Sequence, residues 1–429
     1  MNATTSIRRW VAQRLMSTAA AGRSSGISGL PVLPKKLTMP LRRDGMNPVP
    51  ALARMRDEDP VRRMRRVFGI NVWLVSGYQE AKTVLADTTS YSTDIRPLLG
   101  VGTDARIGGL GFTDPPEHTR LRKILTPEFT VRRLTRLQPA IDRIVTERLD
   151  AMEHAGPVVD LVHEFAFPIP FLVICELLGL PIEDREPFRK LGTARFDIST
   201  GGANAFGAMS QSRAFLQDTV TRQRRDPGDG LIGQIIRELG DEVSDEDLGG
   251  LADGVFTGGY ETSASMLSLG TLALLRDPDS YAMAGRRETV DDVVAELLRY
   301  LSVVQITFPR FAKNDMELYG KQITKGDVLI VSLSGANRDN ALGPNPDAFD
   351  PLADRPSHLG FGHGFHRCVG AELARMELRS AFLGLVQRFP QLELAIPPEQ
   401  LRFRDLSIVY GVDALPVRLS PGTTAQVSA

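Results

Sequence analysis

The segment 244–276, SDEDLGGLADGVFTGGYETSASMLSLGTLALLR, constrains the fold more than any other part of the chain. It opens with a serine and three acidic residues, and it keeps apolar residues at helical spacing as far as Asp277-Pro278, where a helix must stop. A helix of that length would be about 50 Å long at 1.5 Å per residue, enough to cross a whole domain. The pattern therefore predicts a large domain around one central helix.

Most of the remaining periodicity is also helical. Further helices are predicted at 78–87, from 114, and at 131–154, 170–180, 202–224, 229–238, 290–301 and 369–389. Asp114 is expected to cap the second of these. Strand character is confined to 67–77, 309–323 and 328–332. We therefore expect a mainly α fold with a minor β portion: one domain over 44–420 and a tail at 421–429.

The composition excludes several classes of protein. With 42% hydrophobic residues and a net charge of −1, the chain is of globular type and offers nothing that favours nucleic-acid binding. Two cysteines far apart argue against a disulfide scaffold or a cysteine-rich zinc site and favour a reduced, cytoplasmic setting. No run of 18 apolar residues is present, so no membrane span is expected.

The first 43 residues differ from the rest in charge. They contain eight Lys or Arg and no acidic residue before Asp44. This start resembles an organellar transit peptide, and Ile7 to Met16 could form a short amphipathic helix. The alternative, which we favour, is a basic and loosely ordered extension.

The second unusual segment is FGHGFHRCVG, residues 361–370, which places Cys368 at the end of a glycine-rich loop and the start of a helix. Helix amides and basic neighbours there are expected to lower the thiol pKa. A thiolate could be a nucleophile, a redox thiol or a metal ligand. No nearby His–carboxylate pairing indicates a nucleophile, and Cys175 lies in a pattern typical of a buried helix. A single axial thiolate to haem iron remains.

The spacing Phe361-x-x-Gly364-x-His366-x-Cys368-x-Gly370 resembles the haem-ligand signature of the cytochrome P450 family. The similarity to its soluble bacterial members covers nearly the whole chain apart from the termini. It implies the cytochrome P450 fold with the long helix crossing a haem b, O₂ as co-substrate, and Cys368 as the iron ligand.

The long helix carries a second part of the resemblance. Gly258-Gly259-Tyr260-Glu261-Thr262 is similar to the family's oxygen-binding stretch. Each of the two glycines in mid-helix lowers helix stability by on the order of 1 kcal/mol, so we expect a functional role that compensates for this loss. Small residues would open a groove for O₂, and Glu261 with Thr262 would relay protons to the bound oxygen.

Two further sets of residues match the family. In DPPEHTRLR, His118 and Arg122 share one helix face, and the resemblance brings them, with Arg310 and His366, to the haem propionates. A histidine at a helix start without a ligand is the alternative for His118. The matching structural set is the Glu-x-x-Arg pair Glu296 and Arg299, completed by an arginine for which Arg355 is the best match.

The resemblance implies a monooxygenase that inserts one oxygen atom from O₂ into a hydrophobic small molecule by hydroxylation or epoxidation, in natural-product, lipid or steroid tailoring. No flavin or nicotinamide module is evident, so electrons would come from ferredoxin and ferredoxin reductase, docking near Arg367, Arg375 and Arg379. The alternatives are a peroxide-driven haem-thiolate oxygenase, which usually lacks the acid–alcohol pair, and a haem-binding sensor or carrier without turnover.

The expected substrate pocket is mainly apolar. By resemblance it draws on 91–111, 190–208, the start of the long helix, 302–308 and 407–410. Gln305, Thr307 and Tyr410 are expected to orient a hydroxyl or carbonyl group of the substrate. The sequence leaves the substrate itself open.

Overall fold

Helices make up most of the computed structural model, which describes residues 35–67, 69–96, 109–196 and 203–419. Its α-helices are α1 Lys35–Thr38, α2 Pro50–Glu58, α3 Tyr78–Ala86, α4 Glu117–Leu125, α5 Val131–Leu134, α6 Gln138–Ala155, α7 Pro168–Leu178, α8 Ile182–Phe196, α9 Ala203–Arg225, α10 Leu231–Leu239, α11 Asp245–Leu274, α12 Pro278–Ala284, α13 Val290–Leu301, α14 Leu333–Ala336 and α15 Ala371–Arg388. The mainly helical fold is confirmed. Within these residues no helix has both the length and the apolar character to cross a membrane.

The strands of the described residues are short and form four small sheets. They are β1 Arg43–Asp44, β2 Asn47–Pro48, β3 Val61–Val67, β4 Ile70–Val75, β5 Tyr91–Ser92, β6 Val158–Asp160, β7 Arg310–Ala312, β8 Met316–Leu318, β9 Lys321–Ile323, β10 Val328–Val331, β11 Glu393–Leu394 and β12 Pro416–Arg418. The orders are β3-β4-β10-β7-β5, β11-β12-β6, β1-β2 and β8-β9. In the largest sheet β10 runs parallel to β4 and antiparallel to β7, and this pairing holds Arg310 at the start of β7.

The long helix α11 lies at the centre of the helical part. At its start the Ser244 hydroxyl accepts a hydrogen bond from the Asp247 amide at 3.1 Å. Its 30 residues span about 45 Å at 1.5 Å per residue. Every side chain from 263 to 274 is buried, so this half of the helix is covered on all sides. A Cβ atom at Gly270 would lie 2.5 Å from Phe382, so glycine lets α15 approach closely.

Two expectations about helix boundaries were wrong, each for a local reason. The helix predicted at 131–154 is divided into α5, a 3-10 turn at Thr135–Leu137, and α6. Pro139 lies in the first turn of α6, where its missing amide hydrogen is tolerated. Asp114 does not cap α4, because its carboxylate accepts hydrogen bonds from Ser92 and Thr93 instead.

A buried ion pair joins α13 to the irregular segment that precedes the cysteine loop. Two nitrogens of Arg299 donate to the two carboxylate oxygens of Glu296, each at 2.7 Å. Arg299 also donates to three backbone carbonyls within 337–348. Arg355 lies with its Nε 3.8 Å from Glu296, so the predicted third member is next to the pair. The group holds the segment to the helical core.

Replacing Arg299 by methionine should destabilise the protein by about 3 to 5 kcal/mol, because the buried Glu296 carboxylate loses its two-bond partner and keeps, as a charged neighbour, only the longer contact with Arg355. Urea unfolding of both proteins checks this. Arg379→Met is the matched control, since its pair with Asp291 is exposed and contributes less than about 1 kcal/mol. Equal, small losses in both variants would contradict a structural role for the buried pair.

Candidate active site

The cysteine loop, residues 361–370, is a tight turn that depends on its glycines. Gly362 and Gly364 have φ angles of 71° and 67°, in the left-handed region that favours glycine. A Cβ atom at Gly364 would lie 2.6 Å from the Leu85 carbonyl oxygen, so glycine lets the loop pack on the end of α3. The Cys368 amide donates to the Phe361 carbonyl at 2.9 Å and closes the loop.

The Cys368 thiol is the candidate metal ligand of this loop. Its side chain is exposed rather than packed into the core, but the protein around it shields it from bulk water and raises its pKa. The Gly370 amide and the guanidinium groups of Arg122, Arg367 and Arg375 oppose this shift. The expectation of a lowered pKa was therefore wrong in sign: burial outweighs the helix start and the basic neighbours. A metal cation at the sulfur would favour the thiolate.

Next to the cysteine loop lies a donor cluster, made of His118, Arg122, Arg310 and His366. The His118 ring is buried, with its centroid 4.3 Å from that of His366. Neither of its ring nitrogens has a hydrogen-bond partner among the described residues. Burial lowers the pKa of His118 to about 4 and that of His366 to about 3. Both imidazoles are therefore neutral at pH 7 and keep a nitrogen donor each.

The two arginines supply the charge of the donor cluster. Burial lowers the pKa of Arg122 and brings that of Arg310 to about 10. Guanidinium groups stay protonated in proteins, so both side chains are cations at pH 7. Arg310 donates to the Phe308 carbonyl at 3.0 Å. Asp114 raises the pKa of Arg310, but its carboxylate already accepts hydrogen bonds from 92–93. The cluster thus has donors to spare and suits a ligand with carboxylate groups.

One face of α11 is open. Gly254, Gly258 and Thr262 follow each other at intervals of four, and a Cβ atom at either glycine would meet nothing within 4 Å. The Thr262 hydroxyl donates to the Gly258 carbonyl at 2.7 Å. Gly259 differs, since its Cβ would lie 3.2 Å from Ile174 in the core. The open face therefore belongs to Gly258 and Thr262, while Gly259 serves close packing.

Glu261 points away from this face to a partner that the sequence reasoning missed. Its Oε1 accepts a hydrogen bond from Nη1 of Arg404 at 2.8 Å. The two side chains are 18% and 17% exposed. Burial raises the pKa of Glu261, and Arg404 opposes that shift. Acid and alcohol are thus neighbours in sequence but differ in their contacts.

Comparison with known proteins gives a consistent result. The family model described as Cytochrome P450 matches residues 208–402. Cytochrome P450 FAS1 of Rhodococcoides fascians is 39% identical over 88% of this chain and 98% of its own length. Cytochrome P450 165C4 of Amycolatopsis orientalis is 42% identical over 81% of this chain and 86% of its own length. The crystal structure of OxyC, a cytochrome P450 implicated in an oxidative C–C coupling reaction during vancomycin biosynthesis, matches with a TM-score of 0.80. It is 38% identical in sequence, and the match covers 88% of this chain and 96% of the OxyC chain.

The chain belongs to the cytochrome P450 family. The expected family and fold are confirmed, and the protein is an oxidoreductase of the cytochrome P450 monooxygenase class. The family implies a haem group, O₂, a small-molecule substrate and redox partners.

The residues present fit a haem. Cys368 offers an accessible sulfur, and the donor cluster has unpartnered nitrogens suited to two propionates. The open space beside Gly258 leaves room against α11. Within the described residues no three His, Cys, Asp or Glu side chains could hold a metal together. A metal bound to Cys368 therefore suits a cofactor that brings its own ligands, as a porphyrin does.

The polar groups expected to orient a substrate have other partners in this cytochrome P450. Gln305 is fully buried, and its amide bonds to Arg43, Leu41 and Ser407. The Tyr410 hydroxyl donates to a backbone carbonyl at position 45. The expectation for these two residues was therefore wrong. The Thr307 hydroxyl donates to the neighbouring carbonyl at 308. Of the other expected pocket segments, 97–108 and 197–202 lie outside the described residues.

Glu377 is a second residue that the sequence reasoning missed. It is 3% exposed on α15, where a helical apolar pattern gave no reason to single it out. Burial raises its pKa to about 8, opposed by a side-chain hydrogen bond with Ser263 of α11. Its Oε1 has no partner among the described residues. This carboxyl group is therefore protonated at pH 7, directly behind the helix that carries Thr262.

The buried Glu377 should make stability depend on pH. Between about pH 4.5 and 8 the folded protein keeps a proton that the unfolded chain releases, so wild-type stability should fall by up to about 1.4 kcal/mol per pH unit from this group. Glu377→Gln should remove that slope. The stability of the variant relative to wild type should therefore rise with pH and become constant above about pH 8. Urea unfolding at several pH values measures the difference. The half-exposed Glu372→Gln is the control and should keep the wild-type slope; a wild-type slope in Glu377→Gln would refute the assignment.

Proposed function

We propose that this chain is a haem-thiolate monooxygenase that inserts one oxygen atom from O₂ into a hydrophobic small molecule, by hydroxylation or epoxidation, in natural-product tailoring. The observation that carries the proposal is the accessible Cys368 sulfur beside a donor cluster with unpartnered nitrogens. Residues 44–420 would form one catalytic domain, since a single hydrophobic cluster includes both Met46 and Leu419.

The cofactor in this proposal is haem b. Cys368 would supply the thiolate that holds the iron, with Phe361, Gly364 and Gly370 shaping the loop around it. The residues that would hold the propionates are His118, Arg122, Arg310 and His366. Thiolate-ligated haem supplies O₂ activation, because the thiolate's electron density favours O–O cleavage.

The residues of α11 would admit O₂ and supply protons. Gly258 leaves space, and Gly259 allows the helix to pack against α7. The Thr262 hydroxyl, by donating to the Gly258 carbonyl, presents its oxygen lone pairs as acceptors on the open face. Glu261 would replenish protons from the other side of the helix as a general acid. Such an acid–alcohol pair argues against peroxide-driven and sensor functions, which do not require it.

An apolar substrate suits the pocket. Phe308 and Ile408 are 47% and 56% exposed, whereas Gln305 and Tyr410 are occupied by the protein itself. OxyC acts in vancomycin biosynthesis, which supports a biosynthetic role for this relative.

Electrons would come from ferredoxin and ferredoxin reductase. The exposed Arg367 has no ion pair among the described residues, and it lies next to Cys368. Arg375 and Arg379 already pair with Glu372 and Asp291, so Arg367 is the strongest candidate contact. The two free cysteines suit a reducing, cytoplasmic location.

Cys368→Ser tests the axial ligand. The wild-type protein, reduced and exposed to carbon monoxide, should show the strongly red-shifted Soret band of thiolate ligation, and the variant should lose it. Cys175→Ala is the control and should keep the band, because Cys175 is fully buried in the core. An unchanged band in Cys368→Ser would exclude Cys368 as ligand. A wild-type haem band without the red shift would favour the sensor hypothesis.

Thr262→Ala tests the alcohol. The variant should bind haem normally but divert electrons to hydrogen peroxide, so product formed per electron should fall several-fold. The measurement uses a substrate found by its effect on the haem absorption spectrum. Thr257→Ala is the matched control, since its hydroxyl makes the same bond to the carbonyl four residues earlier, also at 2.7 Å. Full coupling in Thr262→Ala would count against the role.

A further inference from the structure

We propose that Arg404 is the positioning residue for Glu261, and that it shares its guanidinium between this interior carboxylate and the surface carboxylate of Asp413. The inference rests on the proposed function, in which Glu261 supplies protons to the oxygen site. Arg404 belongs to a segment after α15 that carries no part of the family signature.

The protein fixes the direction of Arg404 from both backbone and side chain. Its amide donates to the Gly411 carbonyl at 2.9 Å, and the Asp413 amide donates to the Arg402 carbonyl at 2.9 Å, so 402–413 is clasped as a loop. A Cβ atom at Gly411 would lie 3.2 Å from the guanidinium carbon. Glycine at 411 therefore leaves the space that the Arg404 side chain occupies.

Three side chains of the described residues lie next to the guanidinium. It donates to Oε1 of Glu261 at 2.8 Å, and its carbon lies 5.4 Å from the ring centroid of Phe167. On the outer side its Nε is 3.8 Å from a carboxylate oxygen of Asp413, whose side chain is 58% exposed. Among the described residues, these two carboxylates are the acidic groups within 4 Å of Arg404. The arginine thus links a buried acid to the surface.

The positive charge of Arg404 affects the ionisation of Glu261. Arginine stays protonated in proteins, so Arg404 holds a charge and does not itself pass protons. By engaging Oε1 it stabilises Glu261 as a carboxylate in a site where burial favours the neutral acid. No described residue donates a hydrogen bond to Oε2 of Glu261, which leaves that oxygen free to take up and release a proton.

The test is a titration of the Glu261 carboxyl group by infrared difference spectroscopy of the haem-loaded protein, with the band assigned by its loss in Glu261→Gln. In Arg404→Met the titration should move about 1 to 2 pH units higher, because the opposite charge is gone. Arg404→Lys should restore much of the wild-type value. Asp413→Asn, a surface change, should move it lower, because Arg404 then serves Glu261 alone.

The control is Arg402→Met, which removes an exposed arginine two residues away and should leave the titration unchanged. The proposal is overturned if the Glu261 carboxyl group titrates at the wild-type pH in Arg404→Met. If Arg404→Met does not fold, a wild-type titration in both Arg404→Lys and Asp413→Asn overturns it instead. A purely structural Arg404 would lower stability or haem loading without moving the carboxyl titration.

Turnover separates this inference from the proposed function. Both Glu261→Gln and Arg404→Met should raise the fraction of electrons released as hydrogen peroxide, and Arg404→Met should shift the alkaline limb of the pH–rate profile upwards. Suppose that Glu261→Gln raises the fraction of electrons released as hydrogen peroxide, but Arg404→Met changes neither that fraction nor the pH–rate profile. The positioning role then fails while the proposed function stands. If the carboxyl titration moves but neither variant uncouples, the contact stands and the proton role of Glu261 fails.

Discussion

The close contact between α11 and α15 is the constraint on which the site depends. Gly270 admits the Phe382 ring at one end, and Ser263 bonds to Glu377 nearer the open face. The helix that begins after Cys368 and the helix that carries Thr262 are therefore one packed unit. A shift of either helix would change the distance between the Cys368 sulfur and Thr262, and close-packed interiors resist such shifts.

Burial decides most charge states in this region. It raises the pKa of Cys368 and of Glu377, and it lowers the pKa of His118 and His366. The same interior that makes these groups neutral leaves the arginines as the main fixed charges. Bringing in a dianionic ligand and a cationic metal would match that arrangement, because the donor cluster then faces carboxylates and the thiol faces a cation.

The sequence predicted best what local chemistry determines. The ends of α11 follow from a serine cap and a terminal Asp-Pro, and the cysteine loop follows from its glycines. Prediction from sequence failed where a residue's partner is distant in the chain. Arg404 lies 143 positions from Glu261, and Arg43, which donates a hydrogen bond to the Gln305 side chain, lies 262 positions from it. A polar residue at a pocket position cannot be assigned to substrate or scaffold without knowing which distant groups reach it.

The case of Gln305 also bears on selectivity. Arg43 is half-buried and has no carboxylate within 4 Å among the described residues, and it donates to the Gln305 side chain and to the carbonyls at the end of α13. The amide and the guanidinium therefore satisfy each other, three residues along the chain from the exposed Phe308. Because these polar groups are already paired, an apolar substrate of the proposed kind would find no unsatisfied donor among them, and shape rather than hydrogen bonding would distinguish one substrate from another there.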